Sequence, residues 1–507
     1  MSLVPGISGD AVWWQDGRVR AVGPAAELER KVPTRVPRFD FPDSIVTPGF
    51  VDGHTHFGMW ARGRKRVHLA GAGSREEAVR RVAAGALEQG WILGHGWDAN
   101  RWQEPPDRWS LDQVTSAPSF FESIDIHAGW ANSAALMAAG ITSDTPDPPG
   151  GRIVRDASGG PTGLLLERAT ELISAIVPAP GAADLTAMVR ESQAVAHRLG
   201  ITGIHDVEGA DVLRAFRTLE ADGDLRLRVL FSPPVAQLPS LLSHGVRSGQ
   251  GSEWLTLGGV KLFLDGSLGT RTAWMLEAYE DGRDAGMALS TEAEARQAVD
   301  QAASGGLACV VHAIGDAAVR RALTLLEVAP RVGLPHRIEH FQCVDAADMA
   351  RAGRAGIVAS MQPAHLPADV VLAEERWGRR TRGAFAFKSL LQRGTVVAFG
   401  SDVPVVPLDP RQGVVAAMTR VAGDGSFGEG WLPEERLTFD DVVRAFTEAN
   451  AIAAGAADRR GTLVPGRDAD LVAWGVEPAI LENDASAFNE ARVELTVVAG
   501  EVVYRRQ

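Results

Sequence analysis

Apolar residues in the middle of this chain gather into short runs, each closed by a turn-forming residue. Eight runs stand out: VTPGFVDGHTHF (46–57), GITGIHDVEG (200–209), LRLRVLFSPP (225–234), LGGVKLFLDG (257–266), LACVVHAIGD (307–316), HRIEHFQCV (336–344), GIVASMQP (356–363) and VVAFGSDVPV (396–405). Most are apolar on both faces and stop at Gly, Asp or Pro, as parallel strands covered on both sides do. The segments between them, such as TEAEARQAVDQAASGG and DAAVRRALTLLEVA, carry helical spacing. Eight such alternations predict an α/β fold, a (β/α)8 TIM-like barrel, with a doubly wound open sheet as the alternative.

The two ends have a different texture. Residues 11–23, AVWWQDGRVRAVG, alternate around Asp16-Gly17 and predict a β-hairpin. ADLVAWG (469–475) predicts a strand, and ELTVVAGEVVY (494–504) a hairpin around Ala499-Gly500. Together these predict one small β-domain from residues 1–46 and 456–507, with the barrel over 47–455. Two unrelated surface ribbons are the alternative, and such ribbons are marginal alone.

One gap breaks the rhythm. Roughly 140 residues separate the first run from the second, and they hold Trp60, Trp91, Trp97, Trp102, Trp109 and Trp130. This insertion, at about 60–195, follows the C-terminal end of a strand and is expected on the active-site face. Its tryptophans either build its own core or form an aromatic lid over substrate.

The 507 residues, with a net charge of −13 and no basic run, make nucleic acid an unexpected partner. MSLVPGISGD lacks the basic start and apolar core of a secretory leader, and no apolar run approaches a bilayer's thickness. Cys309 and Cys343 are too few for a disulfide framework, so a cytoplasmic location is expected. A small-molecule substrate is the partner expected; a membrane is not, and homo-oligomer formation is left open.

Candidate chemistry falls at the ends of the strands, where barrel enzymes carry it. His54 and His56 end the first run, two apart and therefore on one side of an extended chain. Lys261 lies in the fourth, His312 in the fifth, His340 in the sixth, and Asp402 ends the eighth. Imidazole and carboxylate are ligands for zinc or a similar divalent ion. A metal ion lowers the pKa of water and polarises a carbonyl, which is what a resistant amide requires. Asp402 would then serve as general base and later as general acid, with His340 or His312 completing coordination and helping to stabilise the oxyanion. Lys261 is a poor ligand while protonated. Its alternatives are a carbamate that serves two ions and a buried ammonium paired with Asp265.

TPGFVDGHTH, GHGWD, VKLFLDGSLGTRTA, HAIGDAAV, RIEHFQ, SMQPAHLPAD, GSDVPV and GTLVPGRDADLVAW resemble the amidohydrolase superfamily over nearly the whole chain. Within it they are most similar to amidohydrolase family 3, the YtcJ-like group that includes N-substituted formamide deformylase. The resemblance implies a (β/α)8 barrel with a β-sandwich from both termini. It implies one or two divalent ions, zinc foremost, on His54, His56, His312, His340 and Asp402, with N6-carboxylation of Lys261 as a further implication. The N-terminus is short, so a sandwich strand ahead of the first hairpin is expected to be missing. Trp97, His127, Gln362 and His365 lie on similar motifs and are expected to face substrate, His365 also as a secondary proton donor. His68, His197, His244 and His336 read as structural or surface residues, and His95 and His205 are left undecided.

The function expected is hydrolysis of a C–N amide-type bond in an N-acyl or N-formyl amine or a cyclic amide. Deamination or ester hydrolysis at the same site is the alternative. A barrel that has lost catalysis and only binds is the reading from another class, and the full ligand set argues against it.

Overall fold

A computed structural model of the protein describes residues 2–3, 9–33, 35–100, 102–280, 282 and 284–507. Part of the N-terminal stretch read for a leader, and Arg101 a few residues past the GHGWD motif, lie outside the described residues. All eight predicted strands are present: β1 (Phe50–Thr55), β2 (Ile201–Asp206), β3 (Arg228–Phe231), β4 (Gly259–Phe263), β5 (Ala308–Ala313), β6 (Arg337–His340), β7 (Val358–Met361) and β8 (Val396–Phe399).

They form two parallel sheets rather than one continuous ladder. The first runs Leu255–Leu257, β3, β2, β1; the second runs β4, β5, β6, β7, β8. Gly258 alone separates Leu255–Leu257 from β4, so one stretch of chain serves both sheets, and a single parallel bridge joins Pro234 to Lys261 there. At the opposite seam a single bridge joins Thr55 to Val403. No closed barrel of hydrogen-bonded strands is found among the described residues.

The β1/β8 seam is close because glycines face each other across it. A Cβ on Gly53 would sit 2.7 Å from the Phe399 carbonyl oxygen, and one on Gly400 would sit 2.4 Å from the His54 nitrogen. With nothing in the way, Asp402 N donates to His54 O at 2.8 Å and His56 N to Val403 O at 2.9 Å. The glycines of VDGH and FGSD therefore draw the two chain segments that carry His54, His56 and Asp402 into backbone contact.

Helices cover the sheets with apolar faces. The TEAE start of Glu292–Ser304 is a capping box between Thr291 and Glu294. Asp316–Leu326 buries Val319, Ala322, Leu323 and Leu326. Below the seam, Phe50 of β1 stacks on Phe446 at 5.2 Å between ring centroids, and Phe446 meets Phe399 of β8 at 5.6 Å. Phe50 also touches Trp474 of the terminal sheet at 5.1 Å. Such pairs contribute about 0.5–1.5 kcal/mol each beyond their area burial, and here they join three sheets beneath the site.

The terminal sheet has the order Ser2–Leu3, Ile45–Pro48, Leu471–Gly475, Arg492–Val498, Glu501–Arg505. The hairpin Ala11–Gln15 and Arg18–Gly23 shares a hydrophobic cluster with it through Val19, Val46, Leu471 and Val497. Ser2–Leu3 pairs in parallel with Ile45 and Val46, so a short strand does precede the hairpin, contrary to the sequence expectation. The insertion forms a mixed sheet running Gly151–Arg155, Pro161–Glu167, Ala128–Ala131, Ser119–Ser123, Trp91–Trp97, Val67–His68. Alternate residues divide between two cores: Ile92, Phe121, Trp130 and Leu166 on one face, Leu93, Phe120, Ala131 and Leu165 on the other. Among the described residues no helix is long and apolar enough to cross a membrane.

Candidate metal centre

Strand ends deliver the polar side chains to one place. His54 Nε2 and His56 Nε2 each lie 3.4 Å from Asp402 Oδ1. His365 Nε2 lies 4.0 Å from Asp402 Oδ2. The His340 ring is centred 5.3 Å from that of His54 and 4.4 Å from that of His312. Two overlapping sets, His54–His56–Asp402 and His340–His365–Asp402, each bring one donor atom per residue within 4.8 Å of the others.

Two of these residues leave regular backbone to get there. Arg337 and Glu339 of β6 share a face, and strict alternation would turn His340 away with Ile338. His340 instead adopts φ 69°, as Asp402 adopts φ 64° at the end of its strand. This sparsely populated conformation for a residue with a Cβ ends the strand and re-aims the ring.

The donor set fits a divalent cation. His340 Nδ1 and Asp402 Oδ1 are buried without a hydrogen-bond partner, a costly state for polar atoms unless a ligand satisfies them. Burial, aided by the charge of Lys261, pushes the His54 imidazole down to about 4. Burial likewise holds His312 and His340 well below the usual histidine value, so all three keep a lone pair at neutral pH. Burial would raise the Asp402 carboxyl, but His54, His56 and His365 outweigh it and hold the group below the usual carboxylate range. His312 Nε2 donates to Gly266 O at 3.1 Å, which leaves Nδ1 as its free donor atom.

Lys261 is buried, with Nζ 3.4 Å from His54 Nε2 and 4.8 Å from the centre of the Phe263 ring. It is not where the Asp265 pairing would need it. The Asp265 carboxylate accepts from the backbone N–H groups of Trp274, Ile314 and Gly315 instead. Burial lowers Lys261 to about 8 against the pull of Glu339 and Asp402.

Above this cluster opens a cavity of about 450 Å³. His340, His365 and Asp402 reach its floor, whereas His54, His56, Lys261 and His312 lie beneath it. Trp97 and His127 of the insertion line its wall, with Trp102, Asp98, Asp125 and Asp369. Trp97 lines the cavity and is also part of the insertion core: its Nε1 donates to Phe121 O at 2.8 Å, and its ring packs on Trp102 and Trp130. Trp130 belongs to that core and Trp91 to the core on the sheet's other face, while Trp109 is exposed. His127 Nδ1 lies 2.7 Å from Glu167 Oε2. Burial opposes charge on this ring, but Glu167 and Asp125 outweigh it and raise His127 to about 9.

Gln362 departs from its expected place. It follows β7, buried with Nε2 unpartnered, and does not line this cavity; the turn Pro363–His365 after it carries His365 there instead. His205, left undecided from sequence, is buried 2.7 Å from Arg337 Nη1, and His95 packs against His68 in the insertion. Sequence reasoning missed Glu339, Asp52, Asp125, Glu167 and Asp369. Asp52 Oδ1 accepts from Ser401 N at 2.8 Å and His54 N at 3.2 Å, bracing both sides of the seam. Burial pushes its carboxyl up to about 7. Its place in VDGHTH, an acid in an apolar strand, is the signal that could have found it.

Comparison with known proteins agrees with this arrangement. The chain is 30% identical over 519 residues to the putative amidohydrolase YtcJ of Bacillus subtilis (strain 168), spanning 98% of this chain and 96% of that protein. It is 27% identical over 522 residues to N-substituted formamide deformylase of Arthrobacter pascens, spanning 98% and 95%. A crystal structure of an uncharacterized metal-dependent hydrolase from Pyrococcus horikoshii OT3 superposes with a TM-score of 0.76 at 27% identity, over 94% of this chain and 98% of that one. Residues 40–504 match the amidohydrolase family model, and with its histidines and aspartate converging at the strand ends, the chain belongs to the amidohydrolase family.

Proposed function

We propose that the protein is a metal-dependent hydrolase of a C–N amide-type bond, with the two parallel sheets acting as an eight-stranded barrel around the centre. The observation that carries this reading is the convergence of His54, His56, His340, His365 and Asp402 under one cavity, with Asp402 Oδ1 and His340 Nδ1 unsatisfied. His54, His56, His312, His340 and Asp402 would hold one or two divalent ions, zinc foremost, and Lys261, as the N6-carbamate, would bridge a pair. Such an ion supplies Lewis acidity and brings the pKa of water towards neutrality.

The chain's own residues do the rest. Asp402 takes the proton from the attacking water and delivers it to the departing nitrogen, which breaks the C–N bond as an amine rather than an amide anion. His127, held by Glu167 with its charge, donates to the carbonyl oxygen as negative charge grows there. His365 binds the leaving group and is the secondary proton donor. Trp97, with the other wall residues, orients the acyl or amine portion and excludes water.

The relation to N-substituted formamide deformylase supports amide cleavage over deamination or ester hydrolysis. Purified protein loaded with zinc or manganese should be screened against formamides, acyl amino acids, cyclic amides, esters and aminopurines. Turnover is expected on a formamide or acyl amine. Turnover confined to esters or aminopurines would overturn the amide assignment, and no turnover on any class with full metal content would favour a binding role.

A further inference from the structure

Beneath the candidate ligands runs a buried chain of charged groups to which the proposed reaction assigns nothing. Glu339 is completely buried, and its Oε2 lies 2.5 Å from His54 Nδ1. On its other side Arg337 approaches with Nε 2.9 Å from Oε1 and Nη2 3.2 Å from Oε2. Arg337 is fixed in turn. Its Nη2 donates to Gly53 O at 2.7 Å and to Ser360 Oγ at 2.9 Å, and its Nη1 lies 2.7 Å from His205 Nδ1.

The chemistry of these contacts decides where the proton of His54 sits. Arginine is always cationic, and a carboxylate gripped by it is an acceptor only. The short contact to His54 therefore requires Nδ1–H as the donor. In a neutral imidazole the lone pair is then on Nε2, the atom that faces Lys261 and Asp402 at 3.4 Å each. The opposite tautomer would point a proton into the centre and a lone pair at a carboxylate.

On the reading of the site as a metal centre, we infer that Glu339 is the positioning residue for His54. It locks the ring angle and the Nδ1–H tautomer so that Nε2 is presented to the cation, and Arg337 holds Glu339 in place. Glu339 does not line the cavity, and the candidate ligand it is hydrogen-bonded to is His54. Carboxylates that brace a ligating histidine typically control metal affinity by about 10- to 100-fold.

The test uses the full chain and Zn2+ as the probe. Glu339→Gln keeps the volume but removes the charge and can present an N–H to the ring. Glu339→Asp keeps the charge on a shorter arm. Folding of each is checked by thermal melting. Zn2+ affinity is measured by chelator competition, and the His54 tautomer in zinc-free protein by NMR after selective 15N-histidine labelling, assigned with His54→Gln. The parent is expected to show the Nδ1–H tautomer. Glu339→Gln is expected to lose that signature and about 10- to 100-fold in Zn2+ affinity, with Glu339→Asp falling between. Should Glu339→Gln not fold, the parent tautomer and the affinity of Glu339→Asp still decide: an Nε2–H parent, or an Asp variant equal to the parent, overturns the inference. So does a folded Glu339→Gln with parental affinity and tautomer. A parent that binds no Zn2+ overturns the metal-centre reading itself and this inference with it; a Zn2+-binding parent indifferent to Glu339 overturns the inference alone.

Discussion

The floor and the wall of the cavity are built in different ways. The floor and the ligands beneath it stand at the ends of β1, β6 and β8, with His365 on the turn after β7, and the β1 and β8 segments are bonded backbone to backbone, as Asp402 N is to His54 O. They are at most 9% exposed, and several rest on further buried charged groups. The wall comes from the insertion and from loops. There Asp98 binds Asn100, and Asp125 binds Ser123 and Ser267, so that side chains hold side chains. A floor tied by backbone can keep distances to within fractions of an ångström, which bond-making chemistry requires. A wall tied by side chains can change without disturbing it. On the proposed function, reaction type falls mainly to the sheets, with His127 the insertion's contribution to it, and substrate choice to the rest of the insertion.

The largest effects should come from breaking the floor. Asp402→Asn keeps the shape and removes the base; metal-loaded variant should lose at least ~100-fold in kcat by steady-state kinetics, while its melting profile stays near the parent's. A near-parental kcat would place the base elsewhere. Lys261→Ala should lose both bound metal, by elemental analysis, and turnover, and short carboxylic acids should partly restore both. NMR with 13C-labelled bicarbonate should show a carbamate in the parent. An unmodified Lys261 in an active, metal-loaded crystal would remove it from the bridging role.

Wall substitutions should act on selection. Trp97→Phe loses the bond to Phe121 O, worth about 1 kcal/mol of stability. It should shift the ratio of kcat/KM between bulky and small substrates by roughly 10-fold, with metal content unchanged. Loss of metal in this variant would erase the distinction between wall and floor. In stability, the smallest and most pH-dependent change should come from Glu167→Gln. His127 is raised to about 9 in the folded protein, above the unfolded value of about 6.5. The stability from its pairing with Glu167 is therefore full below pH 6.5 and lost as pH rises through 9. The difference in melting temperature between parent and Glu167→Gln should accordingly shrink from pH 6 to pH 10, and the variant's His127 should titrate lower by NMR. A difference that grows with pH would contradict the pairing.

The same contrast governs what could be read from sequence. Strand existence was legible because buried parallel strands have a strong apolar signature, and the strand ends carried His54, His312 and Asp402 into view. What was not legible depended on partners distant in the chain. VTPGFVDGHTHF reads as one strand, yet Ile45–Pro48 pairs with Leu471–Gly475 of the terminal sheet and Phe50–Thr55 with Ile201–Asp206 of the parallel one. Glu339 was hidden by alternation, because adjacent residues on a strand face opposite ways; only the positive φ of His340 puts both against His54. Gln362 shares a motif with His365, but of the two only His365, carried by the turn Pro363–His365, lines the cavity.

On the proposed function, hydrolysis depends on a divalent metal centre formed by the strand-end residues. The most direct test is a titration of metal-free protein with Zn2+, following hydrolysis of the best substrate from the screen against metal content by elemental analysis. No turnover above background is expected without metal, and with it a rise that saturates at one or two equivalents and is absent in the double variant His54→Ala, His56→Ala. Turnover at the parental rate by protein shown to be metal-free would contradict that dependence.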